Sequence, residues 1–229
     1  MGVNQGIDHQ TRSRQFLILV SPIIVVLIGH FAARLSLLLF DEWAWVGSSL
    51  VYWGSMALAI TLLGDRGSLT RWSRASQGSK WWLALALGMG LISFPLLLIP
   101  NIHVLRPTGL VLAWFLFAVI NSVCEEAYWR GFLLDGTSHF PRAFGVVYST
   151  IFFTVIHPLM LGVFSKIQAF DPAQPTALIP FWTILVILSL SFSTLYLKTR
   201  SLRLPVLSHF LSDLGNLSIF LFMNLVTLS

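Results

Sequence analysis

The feature that most constrains this chain is a series of long runs with almost no ionisable side chain: Phe16–Ile28, Trp81–Ile99, Leu110–Cys124 and Ile179–Leu190. A helix that crosses a bilayer needs about 20 mostly apolar residues. Composition closes the alternative of a soluble globule. Only 10% of the side chains are charged, against about 25% in soluble domains, and the mean hydropathy is +0.80. The fold class expected is all-α, a polytopic membrane helix bundle forming one transmembrane domain over residues 1–229.

About seven spans are expected, over 15–40, 43–63, 81–99, 108–134, 143–164, 179–197 and 204–226. The first and fourth are long enough to tilt or to run past the membrane. Short connections with Gly or Pro separate them, among them Gly64–Lys80, Pro100–Pro107, Asp135–Arg142 and Ser165–Gln174. The net charge of +5 is not a nucleic-acid patch, because its members fall in alternate connections. With the N-terminus in the cytoplasm, inner segments hold Arg12, Arg14, Arg66, Arg71, Arg74, Lys80, Arg130, Arg142, Lys198, Arg200 and Arg203. The outer segments hold only Arg106 and Lys166, the asymmetry of the positive-inside rule. The partners this implies are the lipid bilayer and no nucleic acid. A single cysteine, Cys124, rules out an intrachain disulfide.

Ionisable side chains inside spans are expensive and are functional candidates by default. In the first span, His30 and Arg34 are spaced for pairing on one face, most simply as helix pairing or snorkelling. In the fourth, Glu125 and Glu126 are adjacent, and Glu126 and Arg130 stand four apart, so they can pair on one helix face. Glu125 then lies about 100° around the helix, free for acid–base chemistry in a low dielectric. In the fifth, Phe153 and His157 share a face, and Pro158 is expected to kink the helix beside the imidazole. In the seventh, His209 and Asp213 sit one turn apart among leucines, where an unpaired charge is costly. Each segment also has a plain structural reading: a surface salt bridge, a helix-to-helix hydrogen bond, a His–Asp lock. Asn216 and Asn224 read as interhelical glue.

Taken in order, Glu-Glu-x-x-x-Arg at 125–130, Phe-x-x-x-His at 153–157 and His-x-x-x-Asp at 209–213 resemble one family. They look like the CAAX-protease and bacteriocin-processing family, also called the Abi family, which includes the enzyme that removes the last three residues of prenylated CAAX proteins. The motifs lie in a core of about 108–226; the first hundred residues match only in being hydrophobic. The family's last motif ends in Asn or Asp.

The resemblance implies an intramembrane endopeptidase acting on a membrane-associated peptide or protein. Glu125 would activate a water with help from His157. Glu126 and Arg130 would position that site, and His209 and Asp213 would stabilise the oxyanion. No cofactor is expected. A divalent metal such as zinc is the chemical alternative, since two histidines with carboxylates can bind it, although no His-Glu-x-x-His is present. A prokaryotic cytoplasmic membrane is the expected location. Competing classes are a proton-coupled transporter, which the short chain and lack of repeats disfavour, a non-catalytic scaffold or immunity protein, and a cysteine protease using Cys124. The residues do not name the substrate.

Overall fold

The computed structural model describes residues 3–76, 78–106, 108–164 and 175–226; the expected connection Ser165–Gln174 lies outside them. Ten α-helices form, and no strand among the described residues: α1 (Val3–Phe40), α2 (Ala44–Leu63), α3 (Ser68–Trp72), α4 (Lys80–Leu91), α5 (Thr108–Glu126), α6 (Leu133–Gly136), α7 (Arg142–Phe164), α8 (Pro175–Thr199), α9 (Arg203–Gly215) and α10 (Ser218–Phe222). Widened π turns follow α4 at Phe94–Leu98 and α5 at Ala127–Phe132.

Among the described residues, five stretches are long and apolar enough to cross a membrane: Arg12–Leu63, Lys80–Leu98, Gly109–Gly136, Arg142–Val163 and Ile179–Thr199. The first is a hairpin, because the chain reverses at Asp41–Trp43, where Asp41 has φ 46°. Arg14, about three turns into α1, consequently reaches the Leu63 carbonyl at the end of α2 and the Asp65 carboxylate just beyond it. The same end of the bundle gathers Arg71 with Asp135, Leu202 N–H with the Trp72 carbonyl, and Arg203 with the Ser73 carbonyl. The connections grouped by their basic charge therefore lie together in space.

The seventh expected span, 204–226, is not one helix. α9 has 13 residues, about 20 Å, which is short of a hydrocarbon core of about 30 Å. It ends at Gly215, and Leu217 adopts a left-handed conformation with φ 56° before α10. Asn216 serves this break: its Oδ1 accepts from Ser218 two residues on, a local bond in place of the expected interhelical one. The expected count of seven is therefore not confirmed, because the last expected span is divided between α9 and α10. α7 also runs as helix through Pro158 without interruption.

Surface and interior are arranged for lipid. Leu38 and Leu62 are 84% and 70% exposed, and Phe31 and Trp81 are also outside, whereas Glu125, Glu126, Arg130, His209 and Asp213 are buried. An apolar side chain left in water forfeits roughly 1.5–3 kcal/mol, and lipid removes that penalty. The interior helices approach closely where side chains are small. Gly90 of α4 leaves room for α9, since a Cβ there would stand 2.7 Å from the Ser208 carbonyl oxygen. His30 and Arg34 bear out helix pairing: Arg34 Nε donates to His30 Nε2, and His30 Nδ1 donates to the Leu159 carbonyl of α7.

Candidate functional site

The site is built where α5 passes into its π turn. The turn is anchored from several sides. Pro22 of α1 lacks the N–H that would bond the Ile18 carbonyl; the Ser21 hydroxyl donates to that carbonyl instead and accepts from the Tyr128 hydroxyl. Ser149 of α7 donates to the Trp129 carbonyl at 2.7 Å. The Trp72 ring of α3 lies where a Cβ on Gly131 would be, 2.7 Å from its ideal position. Such widened turns are frequent at functional sites, and this one carries Arg130.

Arg130 and Glu126 are both 0% exposed. Arg130 Nη1 donates to Glu126 Oε1 at 3.1 Å, and His209 Nδ1 donates to the same oxygen at 2.8 Å. The guanidinium is flanked by aromatic faces, 4.2 Å from the Phe153 ring and 5.2 Å from Phe192. His209 stacks nearly parallel on Phe192, with centroids 5.2 Å apart. One buried carboxylate is thus matched to one guanidinium and one imidazole, which is what a charge taken out of water requires.

The other side of His209 faces two carboxylates. Its Nε2 stands 3.8 Å from Glu125 Oε2 and 3.7 Å from Asp213 Oδ2. These separations exceed a direct hydrogen bond and suit a bridging small molecule or a reacting oxygen. Glu125 Oε2 and Glu126 Oε2 are buried without a hydrogen-bond partner in the protein. Tyr52 of α2, buried, accepts from Trp129 Nε1 at 3.2 Å and lies beside Glu125.

His157 joins this cluster through an aromatic neighbour. Its ring packs 4.7 Å from Phe153, whose ring also contacts Arg130 and, at 6.2 Å, His209. His157 Nδ1 lies 2.6 Å from the Phe153 carbonyl. A carbonyl only accepts, so Nδ1 carries the proton and Nε2 is the basic nitrogen. The structure therefore joins Glu125, Glu126, Arg130, His209 and Asp213 by direct contact or near approach, with His157 one ring away. Among the described residues, no three His, Cys, Asp or Glu side chains are placed to share a metal ion. Cys124 is a partly buried free thiol, and each site histidine directs Nδ1 elsewhere.

Sequence reasoning missed Phe192, Asn121, Trp53 and Tyr52. Phe192 is one phenylalanine in an apolar helix, and nothing in its spacing marks it. Asn121 stands one turn before Glu125 and was visible as a polar residue in a span. Tyr52 and Trp53 belong to the half of the chain that matched no motif.

A buried ion-pair cluster in an all-α bundle with a lipid-facing apolar surface defines the class: a polytopic membrane protein with a polar site in its interior. Residues 107–215 match the family model described as type II CAAX prenyl endopeptidase Rce1-like. The site-bearing part of the chain is similar to that family, in agreement with the resemblance carried by the three motifs. The match covers just under half of the 229 residues and includes Glu125, Glu126, Arg130, His157, His209 and Asp213, but not the residues of α1, α2 and α3 that pack against the site. No curated protein and no solved structure matches the chain.

Proposed function

We propose that this protein is an intramembrane endopeptidase that hydrolyses a peptide bond in a membrane-associated protein or peptide. The observation that carries the reading is the approach of Glu125 Oε2 and Asp213 Oδ2 to His209 Nε2, at 3.8 and 3.7 Å, among side chains buried inside a bundle. A water there would lose a proton to Glu125 as its oxygen attacks the peptide carbonyl carbon. The His157 Nε2 lone pair would assist. The oxyanion formed would meet His209 Nε2–H, on a ring whose Nδ1–H is fixed by Glu126; preorganised donors of this kind often dominate acyl-transfer catalysis. When the C–N bond breaks, Glu125 would return the proton to the leaving nitrogen. Glu126 and Arg130 hold the site together without reacting.

The family description makes CAAX tails bearing a prenyl group the first substrate to try. The N-terminus would be cytoplasmic, since the basic connections share one end of the bundle. The test is cleavage of quenched fluorogenic peptides, farnesylated CAAX tails beside membrane-anchored sequences, by the purified full chain in nanodiscs. Glu125→Gln keeps shape and removes the base, so cleavage should fall by about 10²–10⁴-fold with helicity unchanged. Wild-type cleavage by Glu125→Gln would sink the reading.

A further inference from the structure

The N-terminal half of the chain, outside the family-matched residues 107–215, places two consecutive side chains of α2 against the site. Tyr52 lies beside Glu125. Trp53 Nε1 donates to Asn121 Oδ1 at 2.9 Å, and Asn121 Nδ2 donates to Asp213 Oδ2 at 2.9 Å.

These two bonds are not independent. An indole N–H can only donate, so the Asn121 atom facing Trp53 is the oxygen. The amide nitrogen is thereby turned toward Asp213, whose Oδ2 must accept. Trp53 and Asp213 select the same amide orientation, since the flipped one would set oxygen against oxygen at Asp213 and N–H against N–H at Trp53. The indole itself is braced by Phe117, with ring centroids 5.4 Å apart. Asn121 and Asp213 are both buried, so water does not compete strongly for the bond.

The geometry points to Asn121 as a positioning residue of Asp213, with Trp53 of α2 bracing the end of the amide that faces away from it. The oxygen that Asn121 holds is the one standing 3.7 Å from His209 Nε2, so rotating Asp213 would reshape the gap where the oxyanion is proposed to form. This inference rests on the endopeptidase reading, and it makes α2 part of the site.

The test uses the full chain in nanodiscs and whichever quenched peptide of the set above is cleaved fastest. Asn121→Leu should lower kcat by about 10–100-fold, the worth of a hydrogen bond to a charged group, with KM within about twofold because substrate contacts are untouched. Asn121→Asp sets acceptor against acceptor and should lose at least as much. Combining Asn121→Asp with Asp213→Asn restores one donor and one acceptor and should recover about tenfold in kcat. Trp53→Phe keeps a ring against Phe117 but removes the donor that braces the Asn121 oxygen; it should lose a smaller part of kcat, again without a change in KM. Should Asn121→Leu fail to fold, Trp53→Phe and the reciprocal exchange carry the test. Wild-type kcat in Asn121→Leu or in Trp53→Phe overturns the inference, as does a loss in Asn121→Asp that the exchange leaves unrelieved. The two readings fail separately: an active Glu125→Gln removes the endopeptidase, whereas an inactive Glu125→Gln beside a fully active Asn121→Leu removes only the role of Asn121.

Discussion

His209 Nδ1 and Glu126 Oε1 lie 2.8 Å apart, and that one contact fastens α9 to the end of α5 at the oxygen Arg130 already holds. Arg130, Glu126 and His209 are a single unit, so removing its members should not cost equally. Arg130→Ala leaves a buried carboxylate with only an imidazole beside it and should destabilise by about 3–5 kcal/mol. Glu126→Gln keeps an oxygen for both donors and removes the charge, so its loss should be smaller. Thermal unfolding in detergent checks the order. Equal stability of Arg130→Ala and wild type would refute the account of the cluster.

Phe192 supports two site groups at once, stacked against His209 and lying under Arg130. Phe192→Leu keeps apolar volume but loses the flat face. Cation–π and ring-stacking contacts are each worth roughly 0.5–2 kcal/mol, so peptide cleavage should fall by about tenfold while the protein stays folded. Undiminished cleavage would show that the aromatic face is dispensable.

Gly131 admits the Trp72 ring at a distance no side chain could share. Gly131→Ala would have to displace Trp72, which also donates to Asp135 Oδ2 at 3.0 Å and so ties α3 to the bundle. Overpacking of this kind typically costs about 1–3 kcal/mol. Because Gly131 follows Arg130, cleavage should fall as well as the melting temperature. The paired substitution Gly131→Ala with Trp72→Leu should regain part of both; no regain would mean that Trp72 is not the obstacle.

The membrane class and most helix positions were legible because hydropathy and helix length are local properties of the chain. The pairing of Glu126 with Arg130 was legible for the same reason, being a contact within one turn. The widened turn at Ala127–Phe132 was not, since it depends on anchors from Ser21, Trp72 and Ser149 far away in sequence. The broken end of the last expected span also escaped notice: 204–226 is apolar enough to cross, but Leu217 leaves helical geometry there. The share of α2 in the site was invisible because a tyrosine and a tryptophan in an apolar run read as lipid-facing or core residues. The hydrogen bond from His157 Nδ1 to the Phe153 carbonyl one turn back was also legible as a spacing within one helix, whereas the ring contacts that place Phe153 between His157 and Arg130 were not.

Asp213 separates a metal-free site from one holding a metal, and its surroundings say how. Asn121 Nδ2 donates to Asp213 Oδ2, so this position must offer Asn121 an acceptor. Asp213→Asn can do so through its amide oxygen, which keeps that oxygen beside His209 Nε2 and turns the NH₂ group away from it. Neither a carboxylate nor an amide oxygen has a proton to give an oxyanion, so donation falls to His209 in both. In a metal-free mechanism Asp213→Asn should therefore keep much of the activity, while Asp213→Ala, which strands Asn121 and opens a hole beside His209, should lose most of it. Wild-type activity should also survive prolonged chelation in detergent. With a bound divalent metal, the carboxylate would be the useful ligand and an amide a poor one. An inactive Asp213→Asn together with chelator inhibition reversed by Zn²⁺ would establish the metalloprotease, and an active one that ignores chelators would establish hydrolysis by side chains alone.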